Sequence, residues 1–65
     1  MTDVRKSFAD LTAAIEDLHG IAVEGQAPSL SSDIQLCLLG SIDAGLTAMT
    51  QLVSRMTNAV SERKP

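Results

Sequence analysis

Between Leu38 and Val60 the large apolar residues fall three or four apart: Leu38/Leu39, Ile42, Leu46, Met49, Val53, Met56 and Val60. That recurrence is one face of an α-helix. Thr47, Thr50, Gln51, Ser54, Thr57, Asn58 and Ser61 fill the opposite face, and no proline interrupts before Pro65. Ser32 suits the N-cap, with Gln35 three residues on completing a capping box and Asp33 set in the positive first turn. Arg63 and Lys64 suit the negative end of the dipole. The spacing therefore predicts a helix over about 32–63. Such a helix gains most of its stability by laying its apolar side against something else.

Two further features show what lies against it. Cys37, Ser41, Ala44, Gly45 and Ala48 form a strip of small residues beside the large ones. Gly40 and Gly45 should each cost about 1 kcal/mol of helix propensity relative to alanine. A close helix crossing at Gly45 would offset that cost there. The first turns, Ile34 with Leu36, Cys37, Leu38 and Leu39, are apolar nearly all round, which a single neighbouring helix cannot cover.

The N-terminal part supplies the first partner. Val4, Phe8, Leu11, Ile15, Leu18 and Ala22 step by four and three, a coiled-coil-like seam. Thr2 or Asp3 can open this helix. It is expected to end near Glu24 with Gly25 as a left-handed cap and Pro28 beyond, although His19 with Gly20 as cap is a second possible end. Only Gly25 to Ser31 connects the two segments, and connections this short join antiparallel neighbours. Leu30 is placed to pack back over the turn. Folding about the linker midpoint pairs residues whose numbers sum to about 57, so that Ile15 meets Ile42, Leu11 meets Leu46 and Phe8 meets Met49. In that register Met56 and Val60 overhang the end of the first helix.

Size makes a further contact necessary. A 65-residue chain is one domain, residues 1–65, with a small core. Apolar burial at about 25 cal/mol per Å², set against about 1.5 kcal/mol of ordering entropy per residue, leaves it near zero. One cysteine excludes an internal disulfide, and one histidine with one cysteine cannot build a closed zinc site. Oligomerisation remains. The expected architecture is all-α: an antiparallel two-helix hairpin, about 3–24 and 32–63, pairing as a homodimeric four-helix bundle. Its dimer contacts are expected at Ile34, Leu36, Cys37, Leu38, Ser41, Gly45, Met56 and Val60.

Charge placement fits antiparallel pairing. Arg5, Lys6, Arg55, Arg63 and Lys64 fall at the open end of the hairpin. Asp10, Glu16, Asp17, Glu24, Asp33 and Asp43 lie towards the turn, with Asp3 and Glu62 as exceptions. Asp3, Asp10, Asp17 and Glu24 also recur every seven residues. This acidic row is either a solvated face or a docking face for a basic partner.

The chemistry-bearing residues imply no catalysis, cofactor or metal. His19 stands alone on a helix flank. Cys37 has no basic neighbour to make it a thiolate, and Met49 and Met56 fall on the packing stripe. The N-terminus is polar and acidic without an apolar h-region, and no run approaches the roughly 20 apolar residues of a membrane span. The expectation is a cytoplasmic chain without membrane contact. Nucleic-acid binding through the basic open end is the alternative, but net charge −3 and the absence of Trp and Tyr oppose it. The reading that remains is a small non-enzymatic protein-interaction module. It would be a dimeric regulator, inhibitor or adaptor for a larger protein partner not yet identified.

Overall fold

The computed structural model describes residues 3–62. Two helices, α1 (Val4–Glu24) and α2 (Ser32–Ser61), lie against each other as a hairpin, and no strand occurs among the described residues. Asp3 opens α1: its backbone is extended and its carboxylate accepts hydrogen bonds from the Arg5 and Lys6 amides. These are amides that a helix start otherwise leaves unpaired. α1 runs unbroken through His19 and Gly20. Ile21, beyond them, belongs to the packed side, so tertiary packing outweighs the propensity cost of one glycine.

Two helix-end expectations need correction. Gly25 is not left-handed; it sits at φ −65°, and no described residue has positive φ. The chain instead leaves α1 through tight turns in which the Gly25, Gln26 and Ala27 amides donate to the Ile21, Val23 and Glu24 carbonyls. Those bonds satisfy the terminal carbonyls without a reversal of hand. At the start of α2 the cap is Ser31, not Ser32, because extended backbone persists to Ser31 and its hydroxyl accepts from the Ile34 amide at 3.3 Å. The Ser32–Gln35 capping box is therefore absent, while Asp33 does occupy the first turn. At the other end α2 closes at Ser61 with Glu62 as its cap; the expected end at Arg63, and Lys64 beyond it, lie outside the described residues.

The helices meet along a line of alternating three- and four-residue steps. Val4, Ser7, Leu11, Ala14, Leu18 and Ile21 are buried or half-buried on α1. Leu38, Ile42, Gly45, Met49, Leu52, Met56 and Ala59 are their counterparts on α2. This is a heptad seam, but it is rotated by one residue from the expected one. Val4, Leu11, Leu18, Leu38, Ile42, Met49 and Met56 stay inside. Phe8, Ile15, Leu46 and Val53, expected inside, are about half exposed, and their neighbours Ser7, Ala14, Gly45 and Leu52 take the interior places. The cause is closeness of approach. A Cβ built on Gly45 would lie 2.7 Å from Leu18 Cδ2, so Leu18 rests directly on the α2 backbone. A bulkier side chain at position 45 would hold the backbones apart there.

The register also differs. Leu18 faces Gly45, and Leu38 Cδ1 comes within 4.0 Å of the Cβ position at Gly25, so facing residues sum to about 63 rather than 57. That is a slide of six residues, about 9 Å at 1.5 Å per residue. The linker is not a symmetric turn about its midpoint. It climbs beside the first turns of α2 with Leu30 half-buried, and α2 starts above the end of α1. Met56 therefore does not overhang. At 6% exposure it is the most buried residue of the hairpin, next to Val4 at 9%, while Val60 stays exposed.

What results is a rod, 55 × 15 × 13 Å, with a radius of gyration of 15.5 Å where a compact chain of this length would have about 11 Å. Its surface, 5178 Å², exceeds the roughly 4,000 Å² expected for a compact monomer of this mass. The two glycines of α2 should respond in opposite directions. Gly45→Leu should lower stability by roughly 1–3 kcal/mol through overpacking against Leu18. Gly40 meets nothing within 4 Å, so Gly40→Ala should raise stability by about 0.5–1 kcal/mol. Urea melts of the two variants check this; a shift in the same direction would displace the seam.

Candidate interaction faces

Beside the seam lies a second set of residues at strict seven-residue intervals. Phe8, Ile15 and Ala22 form it on α1, and Leu39, Leu46, Val53 and Val60 on α2. Seven residues are nearly two helical turns, drifting only about 20° per repeat, so each set is a nearly straight row. Phe8, Val53 and Val60 share the lining of an open groove at the open end, and Ala22 and Leu39 share another near the turn. The two rows therefore border the same side of the hairpin. Their large members are 45–59% exposed, and the seven-residue spacing aligns them along one side as an apolar face. Isolated apolar residues on a surface are ordinary; a contiguous patch of this kind is not.

The acidic row occupies the opposite flank of the α1 seam. Heptad geometry puts Asp3, Asp10, Asp17 and Glu24 on the far side of the buried line from Phe8, Ile15 and Ala22. All four are exposed. Asp3 is engaged as the cap of α1, and its carboxylate lies 4.0 Å from the Arg5 side chain. Asp10, Asp17 and Glu24 carry no side-chain hydrogen bond or ion pair among the described residues.

The expected dimer residues separate into two groups. Leu38, Gly45 and Met56 belong to the seam inside the hairpin. Ile34, Leu36, Cys37, Ser41 and Val60 are exposed, and only Val60 lies on the apolar rows. The signal that would have separated seam from face is the width of the pattern. Apolar residues at three heptad positions rather than two mark a helix covered on more than one side.

Other chemistry is sparse. His19 and Cys37 are exposed, and no group of three or more His, Cys, Asp or Glu side chains is placed to hold a metal ion among the described residues. The two grooves, about 340 and 390 Å³, are open troughs rather than enclosed chambers. Contrary to the expectation that no stretch approaches a membrane span, α2 is long and apolar enough to cross a membrane by length and composition, with a window of mean hydropathy 1.4. Core helices of soluble proteins meet the same criterion while mostly buried, whereas none of this window is buried within the hairpin. Comparison with protein-family models, curated proteins and solved structures finds no match.

Cys37 provides a check on these faces because it stands off the apolar rows. Maleimide should label it in the native protein within about threefold of its rate in denaturant, as for an accessible thiol. Strong native protection would place Cys37 in a contact and revive the interface expected around residues 34–37.

Proposed function

We propose that the chain is a non-enzymatic helical interaction module: a homodimeric four-helix bundle that presents acidic rows to a larger protein partner, as a regulator, inhibitor or adaptor. One observation carries the reading. The hairpin is a thin rod with an apolar face along one side and an acidic flank along the other. Such a rod has too little interior to stand alone, and a bundle of two would cover what it exposes. Association through the apolar face leaves Asp10, Asp17 and Glu24 outward, where they could steer a basic surface into place. A row of like charges at steps of about 10 Å costs little stability in physiological salt.

Nucleic-acid binding is less well supported. Arg5, Lys6 and Arg55 share the open end with Asp3 and Glu62, and among the described residues neither helix presents a basic face.

Sedimentation equilibrium at micromolar concentration should return twice 6.8 kDa. A folded species of single mass would overturn the dimer. Asp10→Lys combined with Asp17→Lys should abolish partner capture from native lysate, with dimer mass and circular dichroism unchanged. If capture survives, the acidic row is only a solvated face. Salt-dependent, sub-micromolar binding to an oligonucleotide would instead favour the basic end.

A further inference from the structure

We infer that the apolar rows are the site at which a second copy of this chain docks, face to face, with the open end of one hairpin against the turn end of the other. This rests on the dimeric reading above and specifies the surface, the partner and the orientation. Phe8 and Ile15 from α1, with Leu39, Leu46, Val53 and Val60 from α2, supply the contact.

Three observations favour a second copy over any other occupant. The first is periodicity. Both rows repeat every seven residues, the repeat that lets side chains of one helix seat in the gaps of another along its whole length. A membrane surface has no such register to match. The flanks of this face also lack the Lys/Arg-rich border of helices that lie on lipid, and the chain carries net charge −3.

The second is area. Two separate hairpins expose about 10,400 Å², twice the 5178 Å² of one, whereas a compact protein of the doubled mass exposes about 6,600 Å². The difference, about 3,800 Å², falls within the roughly 2,000–5,000 Å² buried by obligate homodimers. One docking event of this size would give the pair the surface of an ordinary folded domain.

The third is charge, which selects the orientation. Arg5, Lys6 and Arg55 stand at the open end, Glu24 and Asp33 at the turn end, with Asp3 and Glu62 as the acidic exceptions. Opposed hairpins set the open end, about +1 over these residues, beside the turn end of the other copy, about −2; parallel hairpins would stack like on like. The grooves agree with this. Opposed packing brings Leu39 of one copy towards the trough lined by Phe8, Val53 and Val60 of the other.

Disulfide trapping tests the face and its orientation without destabilising charges. In a Cys37→Ser background, Leu39→Cys with Val60→Cys places two thiols 21 residues apart on one helix, about 31 Å, too far to close within a chain. Mild oxidation should give a covalent dimer whose peptide map links position 39 of one copy to position 60 of the other. Alongside it, Leu46→Glu should shift the wild-type dimer to monomer, or raise its dissociation constant at least 100-fold, while Leu36→Glu should leave the dimer intact. A dimer that yields only 39-to-39 and 60-to-60 links overturns the opposed orientation. A dimer that forms none of these links and withstands Leu46→Glu overturns this face while leaving the dimeric reading standing. A wild-type monomer, including one that sediments with phosphatidylcholine vesicles, overturns both.

Discussion

The close seating of Leu18 on the bare backbone of Gly45 is the contact on which the rest of the hairpin depends. It draws the helices together along a line rich in small residues, Ser7, Ala14, Gly45 and Ala59, and sets which residues face each other along the whole rod. Once that line is interior, the adjacent line of large side chains, Phe8, Ile15, Leu46 and Val53, has to face outward. The same contact that closes the hairpin therefore creates its exposed apolar face. Fold and the proposed association are coupled through one choice of seam.

Much of the fold was legible in the sequence. The existence, type and approximate length of both helices follow from apolar spacing, and the short Gly- and Pro-containing linker implies antiparallel neighbours. Small residues on α2 correctly marked a tight crossing at Gly45, although its partner is Leu18 of the same chain rather than a second copy. What failed was rotation and register. Choosing the largest residues as interior is sound for a lone pair of helices, but here two apolar lines lie side by side and the narrower one wins because it permits closer approach. The register slipped by about six residues because the linker runs along α2 rather than turning at its midpoint, a path that linker composition does not specify. The expected cap at Ser32 failed more narrowly, since Ser31 is chemically equivalent and the backbone alone decides between them.

The candidate surfaces were legible to different degrees. The acidic row is a matter of spacing on one helix, so it could be read directly and is exposed as expected. The apolar face combines residues from both helices and depends on the register, so its members could not be grouped before the seam was known. Val60 is the one residue common to the expected dimer contacts and this face. Apolar and acidic rows flank opposite sides of the α1 seam, so the proposed self-association and the proposed recognition of a basic partner need not compete.

On the proposal above, a thin, incompletely packed hairpin is completed sideways by its own copy. Small-angle X-ray scattering of the native protein tests it most directly, because it reports mass and length together. The expected particle has twice 6.8 kDa and a maximum dimension close to the 55 Å of one hairpin, since opposed hairpins thicken the rod without lengthening it. A particle of single mass, or one of doubled mass and nearly doubled length, would contradict it.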